Sequence, residues 1–127
     1  MNRSFHFQLR ALIATAALAA ASVSIAQSPP AKASDGVLVG PNGMALYTFD
    51  RDTAGKSACN GPCAGNWPPL MAGAGAAASD DWSVVTRDDG SKQWAYQGKP
   101  VYYWSKDAKP GDHGGDGFNH VWHVARP

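Results

Sequence analysis

The chain contains no glutamate, and only two cysteines occur among its 127 residues. Without glutamate, the Glu-containing capping boxes and Glu-to-Lys pairs that support surface helices cannot be built. Glycine, proline, tryptophan and tyrosine are well represented instead, and this composition favours strands and turns. At this length we expect one compact domain whose core comes from large aromatic side chains.

A charge excess is also missing. The formal net charge is +1, and removal of Arg3 and Arg10 with an N-terminal leader leaves nine Lys and Arg against ten Asp, a net charge of about −1. Such a balance provides no electrostatic footprint for nucleic acid or for an anionic membrane. We therefore expect neither of these partners.

The chain has one long apolar run, ALIATAALAAASVSIA, and it lies at the N-terminus after Arg3 and Arg10. The small residues Ser24-Ile25-Ala26 form a cleavage site, so residues 1–26 are interpreted as a secretory signal peptide. A retained anchor is the alternative, but the run is rich in alanine and barely long enough to span a bilayer. The sequence predicts a periplasmic or secreted protein without a membrane span, beginning with a flexible polar arm over 27–35.

Two segments match each other at an offset of 55 residues. GMALYTFDRD at 43–52 aligns with GKPVYYWSKD at 98–107, and the same register pairs two tryptophans further along the chain. The identical pairs are Gly43/Gly98, Tyr47/Tyr102, Asp52/Asp107 and Trp67/Trp122, and the similar pairs are Leu46/Val101 and Phe49/Trp104. Because one short unit cannot bury its apolar face alone, a repeat of this kind predicts two copies packed together.

Turn residues divide 36–127 into two repeats, about 36–71 and 82–127, joined by the loop 70–79. An Asn-Gly turn predicts a hairpin in the first repeat. In the second repeat, an Asp-Gly turn and further turn residues predict a three-stranded meander, followed by a last strand at 119–125. Tyr47 and Phe49 share one strand face while Leu46 points to the other. The fold class is therefore all-β, a single sandwich-like domain of two pseudo-symmetric strand-loop-strand repeats.

Both copies fit Y-x-[FWY]-x-x-D and are followed by SACNGPCAGNWPPL and PGDHGGDGFNHVWH. Over about 36–127 the chain resembles the bacterial "secreted repeat of unknown function" family, also described as predicted lipoproteins with a conserved Yx(FWY)xxD motif. The resemblance implies an exported location and a repeat architecture, and it implies no reaction. The chain departs from the lipoprotein members because it lacks a lipid-carrying cysteine near the leader.

Cys59 and Cys63 lie in the exported part, where a disulfide closing their short loop is the main interpretation. Loop entropy assigns such a ring about 2 kcal/mol, so its role is local shaping. A redox-active dithiol and a thiolate metal site are the alternatives, although the spacing of three residues is not that of a C-x-x-C motif.

The second repeat replaces the cysteines with a Gly-rich loop. This loop carries possible ligands for a metal ion, namely Asp112, His113, Asp116 and His120. The alternative is a flexible, solvated loop, since the spacing fits no calcium-loop template and strand alternation sends His120 and His123 to opposite faces. No other cofactor is expected.

The duplicated aspartates and aromatics have structural and functional interpretations. Asp52 and Asp107 are expected to cap turns, the alternative being a catalytic pair of carboxylates in a small hydrolase. The aromatic side chains are expected to form the core, the alternative being a ligand-stacking surface. The leading hypothesis is a non-catalytic exported module that binds a protein or small ligand of the cell envelope through its loops, and the alternative is a metal-binding or accessory redox protein.

Overall fold

The computed structural model describes residues 29–127, and the predicted signal peptide lies outside this range. The described residues form seven strands, a short α-helix and a 3₁₀ turn. The strands are β1 (Lys32–Ser34), β2 (Val37–Val39), β3 (Tyr47–Phe49), β4 (Trp82–Thr86), β5 (Lys92–Tyr96), β6 (Lys99–Pro100) and β7 (Trp122–Val124); the helix α1 is Pro62–Asn66 and the 3₁₀ turn is Phe118–His120. The predicted all-β, two-repeat domain is thereby confirmed. None of the helices in 29–127 has the length and apolar character needed to cross a membrane.

All strand pairs are antiparallel. β1 pairs with β2, β3 pairs with β7, and β4, β5 and β6 form the predicted meander. The predicted hairpin of the first repeat is reduced to a bridge between Val39 and Ala45 and a hydrogen bond from Leu46 to Leu38. The reason is that β2 and β3 each have a more extensive partner elsewhere, in β1 and in β7.

Two identical residues of the repeat meet at the centre of the domain. The backbone N–H of Tyr47 donates to the carbonyl of Tyr102 over 2.8 Å, and the N–H of Tyr102 donates back over 3.0 Å. Around these two residues, backbone hydrogen bonds have counterparts between the equivalent residues, 55 positions away in the sequence. The matching donor–acceptor pairs are Ala125–Leu46 with Leu70–Val101, Asp50–Val121 with Ser105–Asn66, and Asp52–Phe49 with Asp107–Trp104. A pseudo-twofold axis therefore passes between Tyr47 and Tyr102.

Side chains of the central strands are buried on both faces, as strand alternation predicts. Tyr47 and Tyr102 belong to one apolar cluster, whereas their neighbours Leu46 and Val101 belong to a second cluster on the opposite face. The first cluster also holds Trp67, Trp122 and Cys59, and the second holds Leu38, Leu70 and Trp82. The motif positions thus build one of the two cores.

Two local predictions are wrong, and one element was not predicted. Lys32–Ser34, assigned to a flexible arm, form β1 because the left-handed Asp35-Gly36 turn folds them back onto β2. The last strand is restricted to 122–124, since Asn119 and His120 adopt positive φ angles in the 3₁₀ turn. The helix α1 was not predicted, because the Pro-containing disulfide loop has no amphipathic pattern.

Candidate functional site

The tyrosine and the aspartate of each motif bond to the opposite copy. The Tyr47 hydroxyl donates to Asp107 Oδ2 over 2.6 Å, and the Tyr102 hydroxyl donates to Asp52 Oδ2 over 2.7 Å. The second carboxylate oxygen of each aspartate accepts a backbone N–H of the following loop, from Ala58 at 2.7 Å and from Gly114 at 3.2 Å. Each aspartate therefore ties its own loop to the tyrosine across the pseudo-twofold axis.

Burial is the largest influence on the pKa values of Tyr47, Tyr102 and Asp52. It raises the pKa of Tyr47 and of Tyr102 well above the usual 10, and the acceptor carboxylates Asp107 and Asp52 raise it further. Burial also raises the pKa of Asp52, although the Ala58 N–H, the Tyr102 hydroxyl and the charge of Arg87 act in the opposite direction. Both phenols stay neutral donors through the physiological range.

A steep loss of stability above pH 10 is expected from the two phenols. In the unfolded chain they ionise near pH 10, whereas in the folded protein they remain protonated, so rising pH favours unfolding only above that value. Each tyrosine contributes a slope of about 1.4 kcal/mol per pH unit in the free energy of unfolding. Urea unfolding between pH 8 and 11 measures it.

The control for this experiment is Tyr96→Phe, at a partly exposed tyrosine of β5. Tyr47→Phe and Tyr102→Phe are each expected to reduce the alkaline slope, while Tyr96→Phe leaves it unchanged. Burial also raises the pKa of Tyr103, so part of the slope is expected to remain in the double variant. An unchanged slope in the double variant Tyr47→Phe/Tyr102→Phe would contradict the assignment.

Four aromatic rings form a continuous stack across the axis. Trp67 and Trp122 are the central, equivalent pair, with ring centroids 3.9 Å apart and planes 3° from parallel. Phe49 stacks on Trp122 at 4.2 Å, and the equivalent Trp104 stacks on Trp67 at 5.4 Å. Every contact in this stack joins one repeat to the other, so neither repeat holds a complete core by itself.

The two loops that follow the motif aspartates close over this stack in different ways. In the first repeat the predicted disulfide is present, with Cα atoms 5.2 Å apart, and both cysteines pack against the aromatic cluster. In the second repeat the position of Cys63 is taken by Phe118, which is 40% exposed and contacts Trp67 and Trp104. Gly115 lies so close to Trp67 that a Cβ would stand 2.7 Å from the indole ring.

A buried arginine holds the disulfide loop in place. Arg87, 5% exposed, donates from Nη1 to Ser57 Oγ at 3.0 Å and to Gln93 Oε1 at 2.7 Å, and from Nη2 to the Cys59 carbonyl at 2.6 Å. Ser57 Oγ in turn bonds the Tyr102 hydroxyl. The guanidinium is thereby connected to the Tyr102–Asp52 pair.

The same surface cleft is formed twice, at equivalent positions beside the two motifs. The first cleft, of about 320 Å³, includes Thr48, Asp50, Asp52, Gln97 and Lys99. The second cleft, of about 240 Å³, includes the residues at an offset of 55, namely Tyr103, Ser105, Asp107, Asn42 and Met44. Asp52 and Asp107 therefore line separate clefts, which is not the arrangement of a catalytic pair sharing one bond.

Charged side chains are concentrated on the side of the first cleft. Its residues Thr48, Asp50, Gln97 and Lys99 also line a cavity of about 450 Å³ that extends to His123, Asp116 and Arg126. His123 Nε2 lies 2.8 Å from Asp50 Oδ2. The first cleft and this cavity form one groove, called the polar groove below; in the second cleft, Met44 and Ser105 stand where Lys99 and Asp50 stand in the first.

Three of the four candidate metal ligands have separate partners. Asp112 Oδ2 accepts the N–H groups of Ala108 and Lys109, Asp116 Oδ1 accepts the N–H of Val124, and His113 Nδ1 contacts the Gly111 carbonyl. Within residues 29–127 no three His, Cys, Asp or Glu side chains form a group that could hold a metal ion. The predicted metal site over Asp112, His113, Asp116 and His120 has no ligand set there, because the carboxylates cap backbone N–H groups instead.

Sequence reasoning missed the Arg87 network and the exchange of tyrosine and aspartate partners. A charged residue directly before Asp88-Asp89-Gly90 is usually solvated in its turn, so no pattern marked Arg87 as buried. The spacing of Tyr and Asp within one motif likewise carries no signal of a partner 50 or 60 residues away.

Comparison with known families is consistent with this duplicated architecture. A family model described as "Secreted repeat of unknown function" matches the chain twice, over residues 30–71 and 83–126, which together exceed half of its length. No curated protein and no solved structure gives a significant match.

Proposed function

The chain belongs to the family described as a secreted repeat of unknown function, and we propose on this premise that it is a non-catalytic module that binds a ligand of the cell envelope. The loops and turns between its strands provide the binding surface, and the polar groove is the site. The ligand class is a polar molecule that carries both amino and carboxylate groups.

The engagement of the motif aspartates supports a non-catalytic role. Asp52 and Asp107 each accept one tyrosine hydroxyl and one backbone N–H. A general acid or base needs an oxygen free to exchange a proton with substrate. These carboxylates hold the fold together instead, and they do so in both repeats.

The asymmetry between the two equivalent clefts is the observation that carries the proposal. One backbone framework forms both clefts, and each contains its motif aspartate, yet the further charged groups Asp50 and Lys99 line the first cleft alone. Asp50 and Asp116 supply negative charge and Lys99 and Arg126 supply positive charge within one cavity of about 450 Å³. This volume lies within the usual range of small-ligand sites, and mixed charges select a ligand of complementary, mixed charge.

Titration of the ¹⁵N-labelled protein with a soluble disaccharide-peptide fragment of peptidoglycan tests the proposal. The fragment carries sugar hydroxyls, amines and carboxylates, whereas dextran of similar mass carries hydroxyls alone. We expect saturable shifts of the amide signals of Thr48, Asp50, Gln97 and Lys99 with a Kd of about 0.1–1 mM, and none with dextran. Chromatography of the fragment after incubation is expected to return it unchanged.

Lys99→Ala is expected to weaken binding about tenfold, because it removes a charged hydrogen-bond donor from the groove. The matched control is Lys106→Ala, at an exposed lysine outside the groove, which should leave the Kd unchanged. Equal effects of both variants would contradict the site. Cleavage of the fragment, abolished in a folded Asp52→Ala or Asp107→Ala protein, would contradict the non-catalytic role.

A further inference from the structure

The two hairpins that begin the repeats differ in the length of their turns. β1 and β2 are joined by the two residues Asp35 and Gly36, with Ser34 paired to Val37. β4 and β5 are paired as far as Thr86 and Lys92, and the longer turn between them contains Arg87. Only the longer turn reaches far enough to return a side chain into the space beneath the hairpin.

Arg87 occupies that space in the second repeat. Its guanidinium lies between Gln93 of the hairpin and Ser57 and Cys59 of the facing loop, and these groups accept its hydrogen bonds through uncharged oxygen atoms. The site is nearly closed to solvent, since Arg87 is 5% and Gln93 0% exposed. The fold therefore forms a complete binding site for a guanidinium group in one of its two halves.

The equivalent space in the first repeat is an open pocket of about 330 Å³. Val37 takes the place of Gln93. The evidence is in the next residue of each strand: Leu38 donates its N–H to the Ala125 carbonyl, and Trp94 donates its N–H to the carbonyl of Leu70, the repeat equivalent of Ala125.

His113 takes the place of Ser57, because the residues that follow these two, Gly114 and Ala58, donate equivalent hydrogen bonds to Asp107 and Asp52. Asp112 lies beside His113 in the lining of the pocket. This hairpin pocket is lined by strand β2 on one side and by the loop 110–113 on the other.

The chemistry of the hairpin pocket is that of a site for a cation on an apolar stem. Val37, Val39 and Ala45 provide apolar walls, and the rim carries the carboxylates of Asp35 and Asp112. Asp112 Oδ2 is bound by backbone N–H groups, whereas Oδ1 takes part only in a surface ion pair. The partner of Oδ1 is the ammonium group of Lys109, 3.4 Å away on a side chain that is 78% exposed, and such surface pairs exchange partners at small cost.

We propose that the hairpin pocket binds the guanidinium group of an arginine side chain from a partner polypeptide. The guanidinium takes the position that Arg87 occupies in the other half. Two carboxylates in the pocket lining attract and hold this ligand, which arrives from solution, whereas Arg87 is delivered by its own turn and needs only uncharged acceptors. This site is separate from the polar groove and does not depend on the function proposed for it.

Titration of the ¹⁵N-labelled full chain with N-acetyl-arginine methylamide tests this inference, with the citrulline analogue as the uncharged control of the same shape. We expect saturable amide shifts at 34–37 and 110–113, with a Kd in the millimolar range, roughly that of one charged side chain. The citrulline compound is expected to bind at least about tenfold more weakly. Asp35→Asn should weaken the arginine compound about five- to tenfold, and asparagine tolerates the positive φ of this position.

The matched control is Asp88→Asn, which removes an exposed carboxylate from the turn of the other hairpin. It should leave the affinity for N-acetyl-arginine methylamide unchanged. The absence of saturable shifts, an equal response to the citrulline compound, or shifts confined to the polar groove would each overturn the proposal.

Discussion

Replacing Trp122 with alanine is expected to lower the free energy of unfolding by about 3–5 kcal/mol. Trp122 is 3% exposed, stacks on Trp67 at 3.9 Å and on Phe49 at 4.2 Å, and receives the edge of Tyr102 at 5.1 Å. Its removal opens a cavity at the pseudo-twofold axis, where both repeats supply the walls. A small domain has roughly 5–15 kcal/mol of stability in total, so this variant should be close to unfolding at 37 °C.

Urea unfolding followed by far-ultraviolet circular dichroism measures this effect without relying on tryptophan fluorescence. Phe118→Ala is the control, since Phe118 touches Trp67 and Trp104 from the rim and is 40% exposed. Its cost is expected to stay below about 1.5 kcal/mol. Trp122→Phe should recover part of the loss, because a smaller ring can still stack. Similar midpoints for Trp122→Ala and Phe118→Ala would show that the stack does not join the repeats.

The second large effect is expected at Arg87. Arg87→Met keeps much of the side-chain volume but removes the donors to Ser57, Gln93 and the Cys59 carbonyl. Gln93 Oε1 and the Cys59 carbonyl are left without a partner, while Ser57 Oγ keeps the Tyr102 hydroxyl, and the expected loss is about 3 kcal/mol in the free energy of unfolding. The loop that contains the disulfide should loosen first, because Arg87 is its buried link to the β4–β5 hairpin, whereas the bonds of Asp88 to Lys56 and Asn60 lie at the surface.

Hydrogen exchange of the amides in 57–66, together with urea unfolding, tests this prediction. Arg126→Met is the matched control; Arg126 is exposed and donates to the Gly36 carbonyl at the surface. The control should change the stability by no more than about 0.5 kcal/mol and leave exchange in the loop unaltered. If Arg87→Met has the stability of the wild-type protein, the network does not stabilise the fold.

Local patterns were sufficient for the parts of the fold that depend on neighbours in sequence. The alternation of Leu46 and Tyr47 predicted two buried faces, and the Asp-Gly turn predicted the β4–β5 hairpin. The spacing of Cys59 and Cys63 in an exported chain predicted their disulfide. Each of these inferences uses only the geometry of an extended strand, a tight turn or a short loop.

The candidate site was less accessible from the sequence. The loop over 108–121 attracted a metal hypothesis because it is rich in Asp, His and Gly, but Asp112 and Asp116 accept backbone N–H groups. Composition cannot distinguish a carboxylate that binds a cation from one that caps a turn, since both uses need the same oxygen atoms. The polar groove and the hairpin pocket each combine residues from segments far apart in sequence, so no motif marked them.

By itself, the sequence determined that the chain is a duplicated, aromatic-rich β domain, because repetition, strand alternation and turn residues act over short distances. The tertiary structure decided which copy each motif residue serves: Tyr47 bonds Asp107, Tyr102 bonds Asp52, and Trp67 stacks on Trp122. It also decided that one half is filled by Arg87 while the other keeps an open pocket. The physical reason is that the contacts across the pseudo-twofold axis determine which side chains are buried and which groups bond to each other. The spacing of residues within one copy carries no information about these contacts.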